Sequence, residues 1–324
     1  MTGCSPTNIN YLRVSIIDRC NLKCLYCLPR QGWTKLPAAE ILSYEEFLRL
    51  IRVAAQAGVR KIRVTGGEPL MRRGVVDFLA RLSKISGITE VCLTTNGLLL
   101  ADMAEDLWKA GLRHLNVSLD TLKEERYREI TGEYRLHQVL AGVERALCLG
   151  FQPLKINFVV LKGLNDDEVR DFAELARTRP LQVRFIEFMP TTEPQRWARH
   201  FLPMAEVRQR LADLGTMKEV PSGATAGPAR IVRPPGFTGT LGFISSVSEH
   251  SCSRCNRLRL TAAGRLRPCL FAPRELDLKT PLRQGAGDEE LHRLFLMAMQ
   301  EKTCRPPLAL VEPSQGTAMI ALGG

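Results

Sequence analysis

Short apolar runs and amphipathic segments alternate along the first 190 residues of this chain. The apolar runs predict six strands, at residues 12–17, 61–65, 91–95, 114–119, 154–160 and 181–188. Helical periodicity predicts five helices, at residues 43–57, 74–85, 103–110, 137–149 and 166–177. Alternation of this kind over short connections is typical of parallel strands with right-handed crossovers. Six units are too few for a closed eight-unit barrel, so we predict an α/β fold, a partial (βα)6 TIM-like barrel.

The pattern changes after Pro190. One amphipathic helix is predicted within residues 191–215, and residues 221–239 are rich in Gly and Pro and predict loops. Strand-like runs follow at 239–247 and 257–261, with a turn after the second, and a last helix is predicted at 288–302. We therefore divide the chain into a partial barrel, residues 1–190, and a C-terminal region, residues 191–324.

Three cysteines stand close together after the first predicted strand, in the sequence CNLKCLYC. Cys20, Cys24 and Cys27 could hold three irons of a four-iron cluster, because thiolate is the soft ligand that iron–sulfur clusters use. The fourth iron would then be open to an outside ligand. A redox pair, half of a zinc site and a chance pattern remain as alternatives.

A second group has the spacing C-x2-C-x13-C and comprises Cys252, Cys255 and Cys269. A hairpin formed by the strand-like run at 257–261 and the segment after it could bring these thiolates together. They fit a second cluster with an open iron. They also fit zinc, since His250 would complete a Cys3His site. The spacing leaves both readings open.

Composition and charge narrow the classes of protein that fit. The chain has 324 residues, 45% of them hydrophobic and 24% charged, as in globular proteins. It contains no run of about 18 uncharged apolar residues, so we expect no membrane span. The first ten residues lack a signal-peptide pattern, which favours the cytosol. In that reducing compartment, ten cysteines favour metal ligation or catalysis over disulfides.

The net charge of +11 has three interpretations: nucleic-acid binding, a basic surface without a partner, or a pocket for a polyanion. Four basic residues lie on different predicted strands and could share one cavity. They are Arg13, Arg63, Lys155 and Arg184. Because a cation inside a barrel is costly to bury unless it meets an anion, this distribution favours a phosphate-rich substrate.

The cysteine loop CNLKCLYC resembles that of radical S-adenosylmethionine (SAM) enzymes, and Thr65-Gly66-Gly67-Glu68-Pro69 resembles their GGEP motif. The resemblance implies a (βα)6 core and a [4Fe-4S] cluster on Cys20, Cys24 and Cys27, whose open iron chelates SAM. The positions that correspond to further SAM contacts are Tyr26, Gly67, Ser118 and Met189.

Nearly the whole chain is similar to one family within that superfamily, the GTP 3′,8-cyclases of molybdenum-cofactor biosynthesis (the MoaA family). The C-x2-C-x13-C group, the C-terminal Gly323-Gly324 and the segments GLNDDE, RFIEFM and CNRLRL carry this resemblance. It implies that Cys252, Cys255 and Cys269 hold a second [4Fe-4S] cluster, with the substrate guanine rather than His250 as its fourth ligand. The residues that correspond to GTP contacts are Arg13, Arg63, Thr94, Lys155, Arg257, Leu258 and Arg259, with Arg184 in the same cavity.

The resemblance also implies the reaction and its partners. The reaction is that of a lyase, which converts GTP to (8S)-3′,8-cyclo-7,8-dihydroguanosine 5′-triphosphate in the first step of molybdenum cofactor biosynthesis. An external one-electron donor of the flavodoxin or ferredoxin type would drive it, and a cyclic pyranopterin monophosphate synthase would use the product. We expect a cytoplasmic protein, compatible with a homodimer, without a nucleic-acid or membrane partner.

Two other functions remain as alternatives. They are a radical SAM enzyme that acts on a peptide and a zinc-containing nucleic-acid binder. The Arg257/Arg259 pair and the Gly-Gly end argue against the first. The roles of four further cysteines and the docking of the divergent tail stay open; the cysteines are Cys4, Cys92, Cys148 and Cys304.

Overall fold

The first half of the fold consists of six strands joined by helices. The computed structural model of the whole chain describes residues 9–28, 34–191, 193–249, 255–272, 274–302 and 319–322. The strands are β1 (Tyr11–Ser15), β2 (Lys61–Thr65), β3 (Glu90–Thr95), β4 (His114–Ser118), β5 (Leu154–Val160) and β6 (Leu181–Glu187). The helices are α1 (Tyr44–Gln56), α2 (Val75–Leu82), α3 (Leu100–Lys109), α4 (Glu124–Thr131), α5 (Leu136–Cys148) and α6 (Val169–Thr178). All six predicted strands and all five predicted helices are confirmed, but α4 was not predicted.

Local sequence signals explain where α1 begins and ends. The Ser43 hydroxyl accepts a hydrogen bond from the Glu46 backbone N–H at 3.1 Å, and the Glu46 carboxylate accepts one from the Ser43 N–H at 2.7 Å. This reciprocal capping box satisfies two donors that a helix start would otherwise leave unpaired. Gly58, with φ of 103°, follows the helix in a left-handed conformation that favours glycine.

Each barrel strand has an apolar face and a polar face. In β1, Leu12 and Val14 pack into the core with the helices, whereas Tyr11 and Arg13 line a central cavity. The register places Arg13 beside Arg63 of β2, so the cavity-facing positions of neighbouring strands form continuous layers. Because successive side chains alternate in direction, the helices cover the apolar outside of the barrel and its inside is polar.

The C-terminal region adds strands to both edges of this sheet. Its strands are β7 (Lys218–Glu219), β8 (Arg230–Arg233), β9 (Thr240–Ile244), β10 (Arg257–Leu260), β11 (Arg265–Arg267) and β12 (Leu276–Asp277). Its helices are α7 (Pro194–His200), α8 (Met204–Gln209), α9 (Lys279–Arg283), α10 (Asp288–Gln300) and α11 (Met319–Leu322). The twelve strands have the order β12-β11-β10-β1-β2-β3-β4-β5-β6-β9-β8-β7.

The two added neighbours of the barrel, β10 on β1 and β9 on β6, are both parallel to it. Eight strands are therefore parallel, and short antiparallel strands continue the sheet beyond them. The partial-barrel prediction is confirmed, with an extension that is continuous with the barrel sheet.

Two predictions for the C-terminal region were wrong. The single helix within 191–215 is two short helices, because Pro203 precedes α8 and lacks the N–H that a continuing helix needs. The loop at 221–239 contains β8, which pairs antiparallel with β9. Within the residues that the structure covers, no helix has the length and apolar character to cross a membrane.

Candidate active site

The first cysteine group lies on the loop that follows β1, at the carboxyl ends of the barrel strands. Two backbone hydrogen bonds hold this loop on the end of α4: Lys23 N–H donates to Thr131 O, and Leu25 N–H donates to Ile130 O, both at 2.9 Å. All three thiols of this group are free, and they line one cavity. In a parallel barrel this end of the sheet is where functional groups gather.

The spacing of the sulfurs of Cys20, Cys24 and Cys27 fits a cluster better than a single ion. The three Sγ atoms are not all within 4.8 Å of one another, although all three residues are among those described. A tetrahedral zinc with Zn–S bonds of ~2.3 Å would hold its sulfurs only ~3.8 Å apart. Burial, and after it the neighbouring Cys20, raises the pKa of Cys27 to about 12, so the thiols keep their protons until a positive centre replaces them.

Polar groups from three strand ends surround the cysteine loop. The Tyr26 hydroxyl donates a hydrogen bond to Asp120 Oδ2, and Asp120 Oδ1 accepts one from the Val159 N–H at 2.8 Å. Burial raises the pKa of Asp120 to about 6. Ser118 and Met189 line the cavity beside this pair. The loop therefore faces a space with hydrogen-bonding groups on several sides.

Cationic side chains line the rest of the cavity. They are Arg13, Lys61, Arg63, Arg184, Arg257 and Arg259. Burial lowers the pKa of Arg13 and of Arg184 to about 10. Burial, and then the neighbouring Arg13 and Arg257, lower the pKa of Arg259 well below its ordinary value. A polyanionic ligand would offset both the desolvation and the repulsion among these cations.

Lys155 lies in the wall of the same cavity but is not among the lining residues. It pairs across the sheet with Asn116, which lines the cavity, so its side chain is on the cavity side of β5. Among the described residues its Nζ has no hydrogen bond or ion pair. Burial, followed by the charges of Arg184 and Arg63, lowers the pKa of Lys155 to about 7.

Thr94 and Leu258, which are also predicted to contact the substrate, differ in whether their side chains face the cavity. Thr94 lines the cavity and accepts a hydrogen bond from Arg63 Nη1 at 3.3 Å. Leu258 is fully buried in the hydrophobic core on the opposite face of β10 from Arg257 and Arg259. Only the backbone of Leu258 is therefore on the side of the cavity.

Lys61, which lines the cavity, belongs to a cluster around Glu90. Its carboxylate forms an ion pair with Lys61 at 2.6 Å and accepts hydrogen bonds from Cys92 Sγ at 3.1 Å and Thr225 Oγ1 at 2.9 Å. Burial opposes the charge of Glu90, but hydrogen bonds from His114 and Lys61 outweigh it and lower the pKa of the carboxyl group. Cys92 is thus a packed member of this cluster, whereas Cys148 is exposed.

Part of the second cysteine group lies in the described chain. Cys255 precedes β10 and Cys269 follows β11, so the hairpin of these strands carries one cysteine at each open end. Burial disfavours the Cys255 thiolate, but the charges of Arg257 and Lys302 outweigh it and lower the pKa of that thiol to about 6. Thiolate is the ligand form of cysteine. The predictions for Cys252, His250, Cys4, Cys304 and Gly323-Gly324 concern residues outside the described ones.

The cavity is continuous from the first cysteine loop to the arginines of β10. Its interior has a volume of about 250 Å³.

Comparisons with known proteins agree with this site. The family model described as the Radical SAM superfamily matches residues 14–176, and the one described as Molybdenum Cofactor Synthesis C matches residues 181–306. A GTP 3′,8-cyclase from Pelotomaculum thermopropionicum is 50% identical over 299 residues, which cover 92% of each chain. A GTP 3′,8-cyclase from Heliobacterium modesticaldum is 48% identical over 297 residues, 91% of each.

This chain belongs to the radical SAM superfamily, within the GTP 3′,8-cyclase family. A solved structure agrees on the fold: Streptococcus suis SuiB bound to S-adenosylmethionine, with a TM-score of 0.59 at 15% identity. The match covers 84% of this chain and 63% of that one.

Family membership gives the chain its cofactors, SAM and two [4Fe-4S] clusters. The donor sets fit these groups. The first loop offers three half-buried thiols at a spacing wider than a single ion needs, and the second group includes a thiol whose pKa is lowered to about 6. The two clusters of the family match in number the two cysteine groups of the chain.

Sequence reasoning missed Tyr11, Lys61 and Asp120, which all line the cavity. The signal for the first two was the alternation of YLRVS and KIRVT, in which every second residue is polar and faces inward. Asp120 lies two residues after the predicted Ser118 in NVSLD, and only the contact with Tyr26 identifies it.

Gly67 allows the GGEP loop to pack directly on the cysteine loop. Its N–H donates to Ile17 O at 2.7 Å, and a Cβ added at Gly67 would lie 2.1 Å from Arg19 O. We expect Gly67→Ala to push the two loops apart, lower the free energy of unfolding by about 1–3 kcal/mol as overpacking does, and reduce the iron content. Denaturant unfolding and iron analysis would measure both.

Gly223→Ala is the matched control, because a Cβ there meets nothing within 4 Å. We expect that substitution to leave stability and iron content unchanged. Equal behaviour of the two variants would contradict the requirement for glycine at Gly67.

Proposed function

We propose that this chain is a radical SAM GTP 3′,8-cyclase. It converts GTP to (8S)-3′,8-cyclo-7,8-dihydroguanosine 5′-triphosphate, the first step of molybdenum cofactor biosynthesis. The observation that carries the proposal is one cavity lined by three half-buried thiols and by arginines on four parallel strands. Relatives that share almost the whole chain are GTP 3′,8-cyclases.

The mouth of the cavity is the proposed SAM site. When bound, the cluster and SAM supply a carbon radical that can remove the hydrogen on the ribose 3′ carbon of GTP. Cys20, Cys24 and Cys27 would hold the cluster. The residues proposed to contact SAM are Tyr26, Gly67, Ser118 and Met189, all of which line the cavity. Asp120 orients the Tyr26 side chain by accepting a hydrogen bond from its hydroxyl group.

The basic part of the cavity is the proposed GTP site. The residues assigned to it are Arg13, Arg63, Thr94, Lys155, Arg184, Arg257, Leu258 and Arg259. The buried cations would bind the triphosphate, and Leu258 would contribute its backbone. Enclosure by the barrel wall excludes water, which protects a reactive substrate from side reactions. Cys252, Cys255 and Cys269 would hold the second cluster, which leaves an iron for the guanine.

The proposal also assigns a role to each part of the chain, a location in the cell and partners. Residues 1–190 would form the radical SAM module and residues 191–324 the second-cluster and substrate module. The protein would work in the cytoplasm with a flavodoxin or ferredoxin type of electron donor and pass its product to a cyclic pyranopterin monophosphate synthase. No nucleic-acid or membrane partner is proposed, and a homodimer is compatible with the proposal.

Isotope transfer tests this function. Oxygen-free protein with both clusters would receive SAM, a reductant and GTP deuterated at the ribose 3′ position, and mass spectrometry would weigh the 5′-deoxyadenosine formed. We expect one deuterium in that product. Unlabelled 5′-deoxyadenosine would retain the radical chemistry and exclude GTP as the hydrogen donor. No 5′-deoxyadenosine from fully loaded protein would refute the proposal.

A further inference from the structure

A buried lysine beside the second cysteine group has no part in the function proposed so far. Lys302 follows α10 and is only 4% exposed. Its Nζ donates hydrogen bonds to Arg257 O at 2.8 Å and to Pro268 O at 2.7 Å. An ammonium group is costly to bury unless its donors are satisfied and its charge is offset. The carbonyls supply hydrogen-bond acceptors, but neither carries a negative charge.

The two carbonyls occupy matching places on the hairpin of β10 and β11. Arg257 lies two residues after Cys255, and Pro268 comes directly before Cys269. The arms pair antiparallel, with Arg259 opposite Arg267. Lys302 therefore joins the two arms at their open end, where each arm carries a cysteine. One side chain fixes the separation of two thiol-bearing segments.

The charge of Lys302 also lies close to the cysteines. Its Nζ is hydrogen-bonded to the carbonyl of Pro268, the residue before Cys269, and to that of Arg257, two residues after Cys255. The thiolates of a bound cluster would therefore supply the negative charge that offsets this buried ammonium. A cluster bound by three thiolates becomes more negative on reduction, and a nearby fixed cation stabilises the more negative state.

We propose that Lys302 is a positioning residue for the second cluster, which clamps the Cys255 and Cys269 arms and raises the cluster's reduction potential through its charge. The inference rests on the proposed second cluster at these cysteines. It assigns a role to the segment after α10, which supplies none of the proposed ligands.

The test uses the full-length chain with Cys20, Cys24 and Cys27 replaced by alanine, so that bound iron reports the second site alone. In this background we expect about four irons per chain. Adding Lys302→Gln should at least halve that number. It should also shift the reduction equilibrium of the remaining cluster at least tenfold toward the oxidised form, which is about 59 mV for one electron. Lys302→Arg should restore most of the potential, because it keeps the charge.

Lys279→Gln is the matched control, since Lys279 is a buried lysine of the same region whose ion pair is with Glu40. We expect it to leave iron content and potential unchanged. Circular dichroism of the metal-free chains would show whether each variant folds. A Lys302→Gln chain with unchanged iron and potential would overturn the inference. A Lys302→Arg chain that shifts as far as Lys302→Gln would overturn the role of charge. A background chain that binds no iron, with Lys302 intact, would refute the second cluster and the inference with it.

Discussion

A Cys24→Ser chain is expected to retain about half of the parent's iron and to form 5′-deoxyadenosine at least about a thousandfold more slowly, ~4 kcal/mol in the barrier. The reason is that a serine hydroxyl stays protonated at neutral pH and is a poor ligand for iron–sulfur clusters. Cys24 is half-buried near Cys27 and Cys20, and the loop offers no fourth thiol to take its place. Iron analysis and the timed formation of 5′-deoxyadenosine would measure the effect.

Cys148→Ser is the matched control, because Cys148 is an exposed free cysteine on α5. It should keep full iron content and rate. If Cys24→Ser kept the first cluster and its rate, the assignment of the cysteine loop would be wrong. If Cys148→Ser lost iron as well, serine substitution would be acting through stability rather than ligation.

The second large effect is expected on GTP binding, when Lys155 is replaced. Replacing this lysine with methionine should weaken GTP binding by about 1.5–3 kcal/mol, roughly 10- to 150-fold, the usual contribution of a hydrogen bond to a charged group. Lys155 is buried among cations and has no hydrogen bond or ion pair within the described chain, so its ammonium is available to a phosphate oxygen. Calorimetric titration with GTP, without oxygen or reductant, would measure the affinity before turnover.

The pH dependence of that affinity provides a sharper signature. In the free protein the pKa of Lys155 is lowered to about 7, and a bound triphosphate would raise it again. Binding therefore takes up a proton above pH 7, and the Lys155 contribution should be about tenfold weaker at pH 8 than at pH 6. The comparison with Lys155→Met cancels the titration of GTP itself. Lys84→Met, at an exposed lysine, should match the parent at both pH values. Equal pH profiles for the parent and Lys155→Met would exclude this role.

The barrel could be predicted because its signals are local. Each strand carries a short apolar run, and the helices carry caps or stops such as Ser43 and Gly58. Helix α4 was missed because its sequence EERYREIT is polar, with Tyr127, Ile130 and Thr131 as its buried positions. Strand β8 was missed because its RIVR core lies within a Gly- and Pro-rich segment. The pairing of β9 and β10 with opposite edges of the barrel depends on contacts between distant residues, which no local pattern encodes.

The candidate site was predictable to a similar degree. Motif resemblance identified the cysteine loop, and charge on several strands pointed to one cavity. Lys61 was missed because it begins β2, at the opposite end of the strand from the carboxyl end where functional residues of a parallel barrel usually lie. Lys302 was missed because it lies 33 residues beyond the last cysteine of its group, and only the folded hairpin brings it there.

The order in which the sheet is completed has a consequence for synthesis on the ribosome. Strands β9 and β10, which flank the first six strands, are the last of the parallel strands to be translated. At about 5–20 residues per second, a nascent chain takes roughly 4–15 s to extend from the end of β6 to the end of β10. β6 presents an unpaired edge until β9 is made, and β1 presents one until β10 is made. Such edges join neighbouring chains into aggregates. The last of these edges is covered only when the hairpin that carries the second cysteine group has emerged. We therefore expect a lower growth temperature or additional chaperones to increase the yield of soluble protein.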